Sequence, residues 1–282
     1  MKNLLKIMVV AMLLLIVTVS CKKDVNVTGV VLDKTELTLN IGETATLTAT
    51  VQPDNATNKA VSWKSSNITA ADVLQGVVTA KEAGTATITV TTEDGNYTAT
   101  CAVTIKPEWV MINGIKWATR NVDRPGTFAA KPEDAGMFYQ WNKKVGWSAT
   151  DPLINSNGGT TWDNTPADGN TWAKVNDPCP TGWRVPIHEE QVSLANANSE
   201  WATLNGITGR MFGSGNNTLF LPAAGYRYNS DGTRYYAGTN GYYWSSTANS
   251  SNGYNLYFNS SNVNPSSNHS RSDGFSVRCI AE

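Results

Sequence analysis

Between residues 25 and 106 apolar and polar side chains alternate with period two. Leu37, Leu39 and Ile41 share one face of "LTLNI". In "ATLTATV" the residues Ala45, Leu47, Ala49 and Val51 oppose Thr46, Thr48 and Thr50. Ala86, Ile88 and Val90 repeat the pattern in "TATITVTT", and Ala99, Cys101, Val103 and Ile105 repeat it in "ATCAVTI". Successive strand side chains point to opposite faces, so each stretch predicts a strand with one buried face. The breaks "IGE", "PDNAT", "EAG" and "EDGN" supply tight turns between antiparallel strands. About seven strands in some 80 residues predict a sandwich. Trp63, in "AVSWKSSN", is expected in its core. Cys101, on the inward face of the last strand, is expected as a small buried hydrophobe with a reduced thiol.

After Pro107 the pattern loosens. Val110, Ile112, Ile115 and Trp117 flank "NG" and predict a hairpin. Stretches such as "SNGGTTWDNTPADGN" read as loops, which at such length are either functional or pinned by aromatics and cross-links. One helix is predicted where Pro186 precedes Ile187, His188, Glu189 and Glu190. It continues through Val192, Leu194, Ala195 and Trp201, with acids in the first turn to complement the helix dipole. His188 is read there as a solvated first-turn residue. As a metal ligand it lacks partners, because His269 is the only other histidine. Glu189 and Glu190 are adjacent and do not face one another on a helix. The run "NDPCPTGWRVPIHEE" at 176–190 is therefore read as scaffold.

The N-terminus is patterned differently. Lys2 and Lys6 precede an apolar run from Ile7 to Val19, followed by Ser20 and Cys21. A positive segment, a short apolar segment and a small residue before the cut predict a secretion signal. "VTVSC" resembles the lipobox of bacterial lipoproteins, with Thr18 departing from the usual Leu. The resemblance implies lipidation of Cys21, a signal peptide over 1–20 and a tether over 21–26. "CKKD" resembles the charged tag that directs Bacteroidetes lipoproteins outward, so the expected location is the outer membrane, lipid-anchored and surface-exposed.

Composition narrows the function. Of 282 residues, 40% are hydrophobic and only 16% charged, and the formal net charge is −1, which leaves no basic footprint for nucleic acid. Ten tryptophans are present, nine of them after residue 107, which sets the second half apart as a separate domain. Three cysteines remain after Cys21, an odd number, so at least one is free or pairs between molecules.

Two family resemblances follow from these stretches. The run from "GVVLDKTELTLNIGETATLTATVQPDNATNKAVSWKSSN" to "GVVTAKEAGTATITVTT" resembles the bacterial Ig-like group 2 family, which implies an Ig-like sandwich over 27–106, used as a spacer or adhesive module. "INGIKWATRNV", "NDPCPTGWRVPIHEE", "LFLPAAGYRY", "GYYWSS" and "GFSVRCI" together resemble the Fibrobacter succinogenes major paralogous domain, over 107–282. That family is related to the C-type-lectin-like fold, shared with the formylglycine-generating enzymes. The fold class expected is therefore multidomain: an all-β Ig-like sandwich, then an α+β C-type-lectin-like domain. Chain ends lie together in such folds, which implies a Cys179–Cys279 disulfide.

The second resemblance does not bring activity with it. The reactive cysteine pair of the formylglycine-generating enzymes is absent if Cys179 and Cys279 are joined, and the Glu-Pro-Asn of calcium-type sugar sites is missing. "WDN" at 162–164 reverses the usual Trp-Asn-Asp order. Asp163–Asp168 and Asn229–Asp231 are read as turns held by Asx hydrogen bonds rather than as metal sites. No catalytic residue and no cofactor is expected. Sugar recognition uses flat aromatic faces and planar polar side chains, and residues 222–262 supply both. The candidate ligand contacts are Tyr228, Arg234, Tyr236, Tyr242, Trp244 and Asn255. The reading is a membrane-anchored binding or adhesion protein for a glycan or surface protein, with no nucleic-acid partner. The alternatives are an enzyme of formylglycine-generating-like fold and an architectural envelope protein.

Overall fold

A computed structural model describes residues 23–215 and 217–282. The predicted leader and the lipidation site Cys21 lie outside the described residues. The chain divides into two compact units, one ending at Lys106 and the other spanning Pro107–Glu282.

The described residues of the first unit form nine strands in three sheets. Glu36–Asn40 runs parallel to Thr98–Lys106, which is antiparallel to Gly84–Thr92, which is antiparallel to Val61–Ser65. Gly29–Leu32 pairs with Ala49–Gln52, and Val77–Ala80 lies between Thr44–Thr46 and Ala71–Leu74. The alternation works as predicted: Leu39, Leu47, Ile88, Cys101, Val103 and Ile105 are buried in one cluster. Full burial of each large aliphatic among them stabilises the unit by about 1.5–3 kcal/mol. Burial also pushes the Cys101 thiol pKa up. Three details differ from the pattern. "ATLTATV" is not one strand, because Thr44–Thr46 and Ala49–Gln52 join different sheets. One strand pair is parallel. Trp63 is only half-buried, bridging two clusters and lying over Gly76, where a Cβ would come within 3.2 Å of its ring.

The second unit is almost entirely β, where an α+β layer arrangement was expected. Its described residues hold one α-helix, His188–Ala195, and a single 3-10 turn, Lys174–Asn176. The predicted hairpin forms: Trp109–Ile112 and Ile115–Ala118 meet at Asn113 and Gly114, both at positive φ. Ile280–Ala281 inserts between Ile115–Ala118 and Trp183–Arg184, so the last strand of the unit is seated beside its first hairpin. A five-stranded sheet runs in the order Gly146–Ser148, Met137–Gln140, Gly274–Phe275, Tyr226–Arg227, Arg234–Tyr235. Two three-stranded antiparallel sheets complete the unit. One holds Ser199–Leu204, Ile207–Ser214 and Asn217–Pro222, and the other Gly241–Asn249, Asn252–Phe258 and Val263–Ser270.

The 176–190 stretch is scaffold in detail. Asp177 accepts the N–H groups of Cys179 and Val185, which closes the loop between them. Glu190 accepts the Ile187 N–H at the helix start and binds Arg184 through both oxygens, at 2.6 and 2.9 Å. The helix is shorter than its pattern implied, and Trp201 belongs to the strand Ser199–Leu204. His188 is not a freely solvated residue. Its ring stacks on Tyr254 at 4.2 Å and its Nε2 lies 3.1 Å from Ser266 Oγ.

Every residue from Arg271 to Ile280 is buried. Arg278 Nε donates to Asn121 Oδ1 and Nη1 to Ala118 O, and burial lowers the guanidinium pKa to about 10. The "GFSVRCI" phrase is thus a buried structural segment that joins two sheets, through Gly274–Phe275 and Ile280–Ala281. Cys179 and Cys279 form a disulfide, with Cα atoms 6.1 Å apart and 100 residues of separation. Closing a loop of about 100 residues removes roughly 4–5 kcal/mol of unfolded-state entropy in the chain-entropy model. Thermal unfolding with and without reductant should therefore show the transition of the second unit falling steeply. The transition of the first unit, whose Cys101 is unpaired, should stay in place.

Candidate functional site

The tyrosine-rich segment is organised by one short hairpin. Tyr226 pairs directly with Tyr235 and Arg227 with Arg234, and the ladder continues through Tyr228 N–H to Thr233 O. Side chains alternate across a strand, so Tyr226, Tyr228 and Tyr235 share one face and the two arginines share the other. The tyrosine rings touch in sequence: Tyr226 and Tyr228 each lie 6.0 Å from Tyr235. Tyr236 joins them, 6.1 Å from Tyr226 with the ring planes within 18°. Tyr228, Tyr235 and Tyr236 are 40%, 43% and 57% exposed, so the face opens to solvent.

Tyr236 reaches this position through a backbone conformation that bulky residues rarely take, with φ at +56°. Its carbonyl accepts from the Thr239 N–H, the Asn240 N–H and the Thr239 hydroxyl. Gly225 packs so tightly beneath it that a Cβ there would sit 2.1 Å from Tyr235 O. The surrounding contacts thus hold a strained, exposed aromatic in one orientation, a feature that concentrates at ligand clamps.

The hairpin is fixed from below. Arg227 is 1% exposed and donates from all three nitrogens, to Ser148 O, Gly232 O and Thr150 O, with Asp151 3.3 Å away. The hairpin tip rests on Trp162, whose Nε1 donates to Asn229 O and whose ring leaves no room for a Cβ at Gly232. Trp162 in turn packs on Trp147 at 4.8 Å. Trp162 was not anticipated as part of this region, and only its place in a long loop needing an aromatic pin pointed to it. The same long loop is turned as expected, with Asp163 Oδ1 accepting the Thr165 N–H, while Asp231 Oδ1 accepts the Thr233 N–H in the hairpin. Among the described residues no group of three or more His, Cys, Asp or Glu is placed to hold a metal ion.

Of the six residues expected to contact ligand, Tyr228, Arg234 and Tyr236 lie on this hairpin. Tyr242, Trp244 and Asn255 do not share its exposure. Tyr242 is 6% exposed, and Trp244 and Asn255 are fully buried. Trp244 stacks on Phe275 at 4.2 Å and donates to Tyr139 O, while Asn255 Oδ1 lies 3.1 Å from His269 Nδ1. The reason is that Gly241–Asn249 is covered on both sides. Tyr243 packs with Leu256 and Phe258, and Tyr242 and Trp244 pack with Phe275 and Trp141. Tyr242 supports the exposed face from within, its ring 4.9 Å from Tyr226. Beneath the same face sits Asp273, 3% exposed, with Oδ1 unpartnered. Burial raises its pKa to about 6 against the pull of the Asn229 hydrogen bond. Asp273 went unnoticed in the sequence, since nothing in "SRSDGF" distinguishes a buried acid from a turn acid.

Comparison with known proteins assigns the first unit and describes the second only in part. Residues 26–103 match the bacterial Ig-like domain (group 2). Residues 185–280 match a domain of unknown function, DUF8237. An uncharacterized protein of Clostridium acetobutylicum is 38% identical over 135 residues, 46% of this chain and 13% of its own length. An alpha-L-arabinofuranosidase of Bifidobacterium longum is 51% identical over 81 residues, 28% of this chain and 7% of the enzyme. An Ig-like virion protein of Serratia phage KSP90 is 47% identical over 83 residues, 29% of this chain and 32% of that protein. The chain thus spans less than a third of the length of each of these relatives. Domains 5-6 of the S-layer protein SbsC align at 14% identity over 89% of this chain and 97% of that one, but with a TM-score of 0.25, too slight a likeness to carry an argument. The first unit is a bacterial Ig-like domain.

Proposed function

We propose that the protein is a binding module of the bacterial cell surface, held by a lipid on Cys21. The Ig-like domain acts as spacer, and the tyrosine face of the second unit recognises a glycan. The observation that carries this reading is the set of contiguous exposed rings at Tyr228, Tyr235 and Tyr236, one of them locked in a left-handed backbone conformation. Flat aromatic faces held rigid before a ligand arrives offer stacking surface at low entropic cost. The resemblance of the second unit to C-type-lectin-like domains agrees with a loop-presented binding face and belongs to this same proposal. So does placement at the outer membrane. The relatives named above, a virion protein and a glycosidase among them, fit a module that is joined to different partners. Cys179 and Cys279 are joined in a disulfide, and the function proposed for the tyrosine face is recognition.

Asp273 adds a second feature to the same face, a buried carboxyl whose Oδ1 has no partner. Its folded pKa, about 6, lies above the ordinary carboxylate value of 3.8. Below pH 4 both folded and unfolded states hold the proton and there is no penalty. As pH rises from 4 to 6 the unfolded chain ionises first, so stability is lost, and above 6 the loss is complete. The shift corresponds to a penalty on the order of 3 kcal/mol. Groups kept against such a penalty concentrate at functional sites.

Two measurements test these points. On a glycan array probed with the full chain, Tyr236→Ala and Tyr228→Ala should each lower binding about tenfold or more while leaving the unfolding temperature within a few degrees. A blank array, with clean capture of one envelope protein instead, would show the architectural alternative. For the acid, Asp273→Asn should raise stability by up to about 3 kcal/mol at pH 7–8 and leave it unchanged near pH 3.5 in denaturant titrations. Equal effects at both pH values would contradict a buried, protonatable Asp273.

A further inference from the structure

The arginine face of the same hairpin is out of balance. Arg227 and Arg234 stand directly opposite across the strand pair. Like charges so placed destabilise a sheet; burial lowers the Arg227 pKa, Asp151 opposes that, and Arg234 adds a smaller lowering. Arg227 is wholly engaged with Ser148, Thr150 and Gly232. Arg234 is half-buried, and its side chain makes no hydrogen bond or ion pair among the described residues. The acids nearby are engaged elsewhere: Asp151 lies against Arg227, and Asp231 accepts its own Thr233 N–H. An arginine paired in register with a saturated arginine, and bonded to no anion among the described residues, is an arrangement that an incoming anion would relieve.

Position decides what kind of anion. Arg234–Tyr235 is the outermost strand of its sheet, with Tyr235 exposed toward one face and Arg234 toward the other. An extended ligand lying along this edge meets ring faces and a free guanidinium within adjacent residues. We propose that the hairpin takes an anionic polysaccharide that wraps across this sheet edge, one sugar ring stacked on Tyr235 and Tyr236 and the carboxylate or sulfate oxygens of a neighbouring sugar bound by Arg234 on the other side. This deepens the glycan reading above and rests on it. A guanidinium presents a planar fork that matches either oxyanion, which a lysine does not.

The test uses matched polymers that differ only in charge: polygalacturonate against its fully methyl-esterified form, and dextran sulfate against dextran. Binding to the full chain is measured by calorimetry at low and at moderate salt. At least one anionic polymer should bind about tenfold more tightly than its neutral counterpart, with a preference that shrinks as salt rises. Arg234→Gln should abolish that preference and, by removing the like-charge pair, keep or slightly raise the unfolding temperature, while Arg234→Lys should restore part of the preference at the wild-type unfolding temperature. Which pair shows the effect distinguishes carboxylate from sulfate. Neutral and charged polymers binding equally, with loss on Tyr236→Ala but not on Arg234→Gln, would overturn the anionic assignment and leave the glycan reading standing. No binding to any of the four polymers, together with a blank array, would remove both.

Discussion

The tyrosine face is held in place by the Arg227 guanidinium. Its Nε donates to Ser148 O at 2.7 Å, Nη1 to Gly232 O at 2.6 Å and Nη2 to Thr150 O at 2.7 Å. These bonds tie the loop after Gly146–Ser148 to the tip of the tyrosine hairpin, across nearly 80 residues of sequence. A buried cation left without its acceptors costs about 3–5 kcal/mol, so the loop and the hairpin form together or not at all. Because a strand alternates its faces, fixing Arg227 inward fixes Tyr226, Tyr228 and Tyr235 outward. The orientation of the candidate site is thus a consequence of one buried charge and the period of a strand.

The rest of the second unit serves to keep that hairpin at a rim. Gly274, the strand neighbour of Arg227, lies within the wholly buried Arg271–Ile280 segment. A Cβ on Gly274 would strike both Trp162 and Arg227. The far end of the segment carries Cys279, whose disulfide closes 100 residues of chain. One buried segment, passing from the five-stranded sheet at Gly274–Phe275 to the sheet of Ile280–Ala281, therefore links the cross-link, the Arg278 staple, Asp273 and the hairpin. Such a unit resists local opening, which keeps the exposed tyrosine face and the strained backbone at Tyr236 in place. The strain is tolerable because Gly225, Thr239 and Asn240 over-determine the turn around it.

How much was readable beforehand depends on what each residue must satisfy locally. The strands of the first unit announced themselves through Ile88, Cys101 and Ile105 because one face was buried and the other wet. The split of "ATLTATV" was silent, since alternation is the same whether a chain stays in one sheet or passes to the next. The Asn113-Gly114 hairpin was legible because its turn needs positive φ at both positions. In "GYYWSS" the alternation gave no exposed face to find: both sides are covered, as in any doubly buried strand. Tyr242 and Trp244 therefore looked like ligand residues by type and proved to be core by position. The helix was legible at its start, where Glu190 caps and pairs, and illegible at its end, where only tertiary pairing moves Trp201 into a strand.

Arg234 shows where sequence type and structural position combine. As a residue it is one of several cations among tyrosines, and its type says only that it can bind an anion. Its strand partner says more. Arg227 has the same charge, lies on the same face and is saturated, so it offers Arg234 repulsion and no bond. A surface arginine in water loses little by lacking a partner, but one held half-buried opposite another arginine does not enjoy full hydration. Selection for stability alone would favour a neutral residue at 234, or an acid able to pair with Arg227. The two arginines are coupled through a register that a two-residue strand fixes, so moving either charge alters the other. That coupling is what makes Arg234 the residue on which the proposed anion recognition turns.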